Sequence, residues 1–533
     1  MYENDLEDDD MYMNDGRGMD EEEEEQVPGP VMDFLIRLKN GLEQSNLVEL
    51  QYLYDEAFPE LTAQFYEKRP WPNIKMATDL VRGSFGFSIL YGELHYRHIY
   101  AKMQPSRAVR CDSYFNYCHL FNYIVSAQQP INLQLPHKWM WDIIDEFIYQ
   151  FQNCSLLRMR TGKNAPRPDE MQELERIWNV HSVLNVLHSL IDKSNIIEQL
   201  KVFNAGGDPH EAGGEFGNHP LYRMLGYYSL VGLLRLHSLL GDYHRAIRSL
   251  ENVDLNRQMM RNLSFVKALA CQTTTYYYVS FAYLMMKRYS DAIRTCTNLL
   301  VYLQRAKPPT NSQLKTFQQE LVEKQTDQMY VLLALCLALH PQRIDESVST
   351  QMQEKFGEVY AKLQRGDLAE FETQFKFVCP KFVSAVPSNL IDSEGNYVEP
   401  SATTPRHEPV KQQLRMFLDE VEQQLPLLVI RSYLKLYKTM SIEKLAGFLE
   451  VDQEKLEESL LCFKHKKQSM VCQKDSQSAL DGELMSGSDV DFYIDRDMIH
   501  IADTKVARRY GDYFMRQVHK FEELYKVVKN IKV

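Results

Sequence analysis

The sequence predicts a mainly α protein: a right-handed superhelical stack of TPR-like helical repeats, followed by a C-terminal winged helix with a small β-sheet and a terminal helix. Three observations carry this reading. From about residue 31 to 380, apolar residues recur at spacings of three and four, and period-two alternation is nearly absent. A short motif repeats within this stretch. Beyond residue 440, two capped amphipathic segments give way to alternating ones, so the period changes from 3.6 to 2.

Composition sets the outer limits. The chain has 533 residues and a formal net charge of −13. Residues 1–30 hold 13 acidic side chains and one Arg, which leaves 60 acidic against 59 basic residues elsewhere. The run Glu21–Glu25 followed by VPGP reads as a disordered, solubilising tail, because like charges repel and cannot bury enough surface to fold. A nearly neutral body lacks the bulk surplus of Lys and Arg that a general grip on nucleic acid needs. A hydrophobic fraction of 44% and a charged fraction of 25% exclude collagenous, fibrous or wholly disordered classes. Nine scattered cysteines without a C-x-x-C pair, behind a start that lacks a basic and apolar leader, read as reduced thiols of a cytoplasmic protein. The longest apolar run, Met329 to Leu339, falls well short of the roughly 20 residues that cross a bilayer, so no membrane is expected.

The elements follow in chain order. After the tail, residues 31–304 form an N-terminal helical-repeat region. Residues 305–515 form a second domain of helical repeats, an exposed loop near 384–409 and a winged helix from about 430 to 503; residues 506–530 form a C-terminal amphipathic helix. In the first region Ile177, Val180, Leu184, Leu187 and Ile191 fall on one helical stripe. GDYHRAI from Gly241 and KRYSDAI from Lys287 align at an offset of 46, matching Tyr243 with Tyr289, Ala246 with Ala292 and Ile247 with Ile293. Each copy follows a long apolar helix, and an aromatic then a small Ala suit the helix-turn-helix unit of tetratricopeptide-type arrays. The Gly-rich stretch Ala205 to Gly217 reads as a loop interrupting the stack. In the C-terminal part Ser441 and Asp452 can cap two short helices. SMVCQ from Ser469, VDFYI and MIHIAD then alternate, the last two about a turn at Asp495, Arg496 and Asp497.

Signatures of catalysis are absent from this reading. No phosphate-binding G-x-x-x-x-G-K-[ST], nucleophile-elbow G-x-S-x-G, H-E-x-x-H or strand-borne G-x-G-x-x-G motif is found. His95 and His98 near Glu93 offer part of a zinc set, short of the three protein ligands of a catalytic site; they and His181 and His188 read as packing groups. Asp142, Asp145 and Glu146 share a helical face, as a solvated acidic surface or a match for a basic partner. Tyr276, Tyr277 and Tyr278 read as core and groove lining. No catalytic residue, cofactor or metal is assigned.

The winged helix is the nucleic-acid candidate, since its second helix enters the major groove in DNA-binding proteins. Here the N-terminal half of that helix carries Glu454, Glu457 and Glu458 beside Asp452, all repelled by phosphate. Lys464, Lys466 and Lys467 sit at its exit, where they suit the helix dipole and leave weak or indirect RNA contact open. The hairpin offers a different use: a sheet edge can take up a strand from another chain. The partner-binding candidates are therefore Phe492, Ile494, Ile499 and Ile501 on the hairpin, which would seat it or its partner, and Tyr510, Phe514, Val518 and Phe521 on the last helix, in line with Val506. Packing of that helix onto its own winged helix is the competing reading.

Helical repeats running into a winged helix and a trailing helix resemble the PCI-domain family, whose members include subunits of the proteasome lid, the COP9 signalosome and eukaryotic translation initiation factor 3. The initiation-factor branch is the nearer likeness, carried by IWNVHSVLNVLHSLIDKSNI from Ile177, SLVGLLRLHSLLGDY from Ser229, YYYVSFAYLMMKRY from Tyr276, KLAGFL from Lys444 and DVDFYIDRDMIHIADTKVARRYGDYF from Asp489. The resemblance implies a non-catalytic scaffold subunit. Its implied partners are other initiation factor 3 subunits, particularly K and E, and the small ribosomal subunit, in support of mRNA and initiator tRNA recruitment. The alternatives are an RNA-binding winged-helix module and a scaffold subunit of a proteasome-lid or signalosome-type complex.

Overall fold

The computed structural model describes residues 27–159, 177–253, 269–305, 317–384, 409–472, 478–486 and 490–529. Residues 1–26 of the acidic tail and 385–408 of the Pro-rich loop lie outside them. Among the described residues helices predominate as far as Leu434, and many start on the side chains the sequence offers as caps. Asn46, Asn73, Ser84, Ser106, Asn179, Asp208, Asp242, Asp345 and Asp367 each accept a first-turn backbone N–H, satisfying donors that a helix start leaves open.

The array closes around the helix Pro220–Leu239, which is buried all round except at Pro220, Arg223 and His237. A helix apolar on every side has to be enclosed, and its neighbours are the helices His137–Arg158, Val180–Ser194, Tyr243–Arg248 and Leu269–Met285. At Gly226 the backbones come so close that an added Cβ would lie 2.0 Å from the Ser194 hydroxyl oxygen. The predicted stripe moves accordingly. Asn179 starts the helix at Val180, so Ile177 is buried ahead of it, and the inward face is Val183, Leu187, Leu190 and Ile191 with Leu184 half-buried.

The supposed Gly-rich loop is a second departure. Residues Pro209–Asn218 are helical, with a break at Gly214 (φ 61°, ψ −167°). Asp208 as cap followed by Pro in the first turn is a start signal that outweighs the glycines behind it.

The internal repeat is realised in backbone detail. Gly241 (φ 79°) and Lys287 (φ 62°), 46 residues apart, occupy the same left-handed position behind the helices Pro220–Leu239 and Leu269–Met285. Asp242 N–H donates to the His237 carbonyl at 2.9 Å, and Arg288 N–H to that of Tyr283 at 2.9 Å, the same terminal bond in each copy. The helices Tyr243–Arg248 and Tyr289–Arg305 follow, burying Ala246 with Ile247 and Ala292 with Ile293. Tyr276, Tyr277 and Tyr278 are buried beneath them.

The described residues form two hydrophobic cores. The first runs from Val31 to Val421. The second holds Leu427, Ile430, Leu434, Met440, Ile442, Leu445, Leu456, Leu460, Phe463, Val490, Phe492 and Ile499. One helix, Pro409–Leu434, serves both: Leu414, Phe417 and Val421 enter the first core, and Leu427, Ile430 and Leu434 the second.

The second core is that of a winged helix. The helices Ile442–Leu449 and Gln453–Lys466 pack beneath a three-stranded antiparallel sheet of β1 (Thr439–Ser441), β4 (Val490–Asp495) and β5 (Met498–Asp503), in the order β1-β5-β4. SMVCQ does not join it. Its Ser469, Met470 and Val471 belong to β2 (Gln468–Val471), which pairs with β3 (Glu483–Ser486) as a separate ribbon against the helix Tyr289–Arg305. The terminal helix Thr504–Lys529 continues directly from β5.

The glycine contacts make a paired test. Gly226→Ala should cost about 2 kcal/mol by overpacking, with Gly226→Ala/Ser194→Gly recovering part of it. Gly447→Ala, in the helix Ile442–Leu449 with no atom within 4 Å of the new Cβ, should gain up to about 1 kcal/mol. Urea midpoints of the three variants check both signs.

Candidate assembly surface

The hairpin's side chains divide by strand alternation. Phe492 is 3% exposed, with its ring 5.9 Å from that of Phe463, and Ile499 is fully buried. These two seat the sheet on the helices and are not available to a partner, which corrects their place among the contact candidates. Ile501 is half-buried against the same core. Ile494, on the same face opposite Ile499, is 37% exposed because it lies next to the turn, and Tyr493 and Met498 are exposed on the other face.

Strand β4 pairs with β5 alone, so its outer side has no strand neighbour among the described residues. The Phe492 N–H donates to Asp491 Oδ1 at 2.8 Å. In antiparallel pairing with β4 and β5 closed by the two-residue turn Arg496-Asp497, Phe492 falls in a non-hydrogen-bonded pair, so this N–H points to the free side. One edge donor is thereby occupied, a modest safeguard against indiscriminate pairing.

The terminal helix supplies the larger surface. Thr504–Lys529 spans about 39 Å at 1.5 Å per residue. Phe514 is 62% and Phe521 68% exposed, and Tyr513, Met515, Val518, Leu524, Tyr525 and Val528 are each at least half exposed. The side chains of Val506 and Tyr510 lie outside the described set. Phe514, Phe521 and Val528 are spaced by seven, Val518 and Tyr525 form a second line on one side of them, and Leu524 flanks them on the other. Three positions in seven make a face too wide for a two-stranded seam and suited to a bundle of several helices. Soluble monomers rarely leave such a stripe bare.

The basic exit of the second winged-helix helix is already engaged. Lys466 Nζ lies 2.9 Å from both carboxylate oxygens of Glu420 and 2.6 Å from Gln423 Oε1. Lys467 is buried, and Lys464 lies 3.7 Å from Asp491 and over the Phe492 ring. A stripe of free lysines for a phosphate backbone is not formed by these three.

The carboxylates and histidines of the N-terminal region hold the chain together. Asp142, Asp145 and Glu146 form no solvated acidic face. Asp142 accepts from the Tyr54 hydroxyl and lies 3.6 Å from Arg97, Asp145 pairs with Arg235, and the buried Glu146 accepts from Gln150 Nε2 at 2.9 Å. Nearby Glu93, wholly buried, accepts from Arg97 Nε at 3.0 Å and from Trp139 Nε1 at 2.9 Å. Their long-range partners are 45 to 90 residues away in sequence, which no local motif reports. His98 lies buried with Nε2 3.1 Å from the Arg69 carbonyl, and desolvation with His98 nearby lowers His95 to about 4. Among the described residues no group of three or more His, Cys, Asp and Glu could hold a metal ion, and no helix is long and apolar enough to cross a membrane.

A helical-repeat array that ends in a winged helix and a trailing helix is the architecture of PCI proteins. A family model described as RNA polymerase I-associated factor PAF67 matches residues 109–521. The chain is 52% identical over 484 residues to eukaryotic translation initiation factor 3 subunit L of Danio rerio, covering 90% of this chain and 81% of that protein. The human protein of the same name matches at 52% over 90% of this chain and 83% of its own length. That of Nematostella vectensis matches at 51% over 93% and 92%. The chain belongs to the eukaryotic translation initiation factor 3 subunit L family.

Burial gives the N-terminal carboxylates a pH signature. Desolvation raises Glu146 to about 7, against the opposing pull of Arg97 and Gln150. A carboxyl whose folded pKa exceeds its unfolded one keeps its proton in the native state, so this group's contribution to stability falls as pH rises from about 4.5 to about 7. Glu146→Gln removes that loss. It should raise Tm by about 2 °C at pH 8, with the gain shrinking towards pH 4.5, as read by thermal melts across pH.

Proposed function

We propose that the chain is a non-catalytic scaffold subunit of eukaryotic translation initiation factor 3, working in the cytoplasm. In this reading it supports binding of the small ribosomal subunit and recruitment of mRNA and initiator tRNA through its place in the complex. Its direct contacts are sister subunits, particularly K and E, made by the assembly domain of residues 305–515 and the helix behind it. The observation that carries the proposal is the bare aromatic face of Thr504–Lys529 beside the free edge of β4. Such a face gains most by entering a bundle of helices from other chains, where the apolar area removed from water supplies the binding free energy. Ile494, Phe514, Val518 and Phe521 are the contact residues; Tyr510 extends the stripe by sequence. Phe492, Ile499 and Ile501 seat the hairpin on its own helices. Family membership and the relatives' shared name support assignment to the complex.

Coexpression with the sister subunits tests this. Phe514→Asp and Phe521→Asp should each cost about 2 kcal/mol of association, roughly thirtyfold in Kd. The helical circular dichroism of the chain should not change. Phe492→Asp should instead unfold the winged helix. Unchanged capture of partners by Phe514→Asp/Phe521→Asp would overturn the assembly reading, and steeply salt-dependent RNA binding by the chain alone would then favour the RNA-binding module.

A further inference from the structure

The winged helix hangs from the array by the helix Pro409–Leu434, and Pro426 falls between the last residue of that helix in the first core, Val421, and the first in the second, Leu427. A proline inside a helix removes one i to i−4 hydrogen bond and is a common site of bending. Two polar clusters bridge this point from the side. Glu420 accepts from Lys287 Nζ at 2.5 Å, on the turn of the second repeat, and from Lys466 on the winged helix. The second cluster is a hook. Arg288 donates to the Ala479 carbonyl at 3.3 Å, to that of Leu480 at 2.9 Å and to that of Asp481 at 3.2 Å. The fully buried Asp291 carboxylate receives the Cys472 N–H at 3.2 Å and is held by Arg288 and Arg294. These residues flank the β2–β3 ribbon, which leaves the winged helix between its second helix and β4, and Ala479 and Leu480 pack into the first core.

The repeat itself indicates that these contacts are a specific addition. The turn GDYHRAIR from Gly241 becomes KRYSDAIR from Lys287. Tyr, Ala, Ile and the final Arg are kept, whereas Gly241, Asp242 and Arg245 are replaced by Lys287, Arg288 and Asp291. Three of the four changed positions are the ones that hold the winged helix. Lys287 also takes a left-handed backbone position that suits the glycine of the first copy. A long side chain at a strained position, spent on Glu420, is a local cost with a distant contact.

We propose that Pro426 is a joint and that the Lys287–Glu420–Lys466 bridge with the Arg288–Asp291 hook is its catch, fixing the direction in which the winged helix presents the helix Thr504–Lys529. Lys287, Arg288, Asp291 and Glu420 are positioning residues that act through the assembly face. This rests on the proposed function for its consequence in assembly and on the structure alone for the joint.

Amide hydrogen exchange on the full chain separates the two. Lys287→Gly removes the array's leg of the bridge, leaving Lys466 on Glu420, while relieving the left-handed strain, so it should leave Tm unlowered yet speed exchange across residues 468–472 and 478–486 about tenfold. Arg288→Ala should do the same through the hook, with the helix Pro220–Leu239 unchanged in both. Adding Pro426→Ala to Arg288→Ala should return part of the protection by restoring the missing helix bond. Unchanged exchange in the first two variants, or equal acceleration in Pro220–Leu239, would overturn the catch; no effect of Pro426→Ala would overturn the joint. Lys287→Gly should also capture fewer sister subunits, and full capture despite faster exchange would overturn the positioning role. Failure of the Phe514→Asp/Phe521→Asp test would remove the assembly consequence while leaving the exchange result standing.

Discussion

The constraint that organises this molecule is the double duty of one helix, Pro409–Leu434, which must bury its first half in the array and its second half in the winged helix. Neither core could be finished without it. Leu414, Phe417 and Val421 close the lower end of the array. Leu427, Ile430 and Leu434 form one wall of a small core that, at this size, has few apolar residues to lose. The buried Glu420 on the same helix adds charge to the junction, and its carboxyl is held below its usual range by Lys287, Lys466 and Gln424 against the opposing effect of burial.

The order of elements was legible in the sequence because helical burial leaves a periodic trace. The repeat at Gly241 and Lys287, the Ser441 cap with the helix behind it, the second helix after Asp452 and the hairpin about Arg496 all have local causes and occur where the residues indicate, although Asp452 stands at its helix start without a side-chain cap bond. What was not legible depends on distant partners. Three-residue β1 carries too little pattern to be recognised, and β2 alternates like a wing strand although its partner is β3. The Gly-rich stretch misled for a different reason: one cap and one proline at Asp208-Pro209 decide a helix start more strongly than five glycines decide against it.

The site was half legible. Alternation places Phe492, Ile494, Ile499 and Ile501 on one face of the hairpin, but only the packing of Phe463 against Phe492 tells that this face is the sealed one, and that Ile494, next to the turn, is left 37% exposed. The terminal helix was easier to read, because its aromatic stripe is stronger than anything the small winged helix could cover. The carboxylates Asp142, Asp145 and Glu146 were the opposite case, since their partners Tyr54, Arg97 and Arg235 come from other helices.

The bare stripe from Phe514 to Val528 also bears on the life of the polypeptide before it meets other chains. A newly made copy carries a sticky aromatic rod on its outside, the type of feature that promotes clumping and that chaperones and proteases recognise. Orphan molecules made in excess would be costly to keep in solution. Under the proposed assembly, the same side chains that reward correct stoichiometry would make surplus copies targets for removal, and cellular abundance would be tied to the supply of whatever covers the rod.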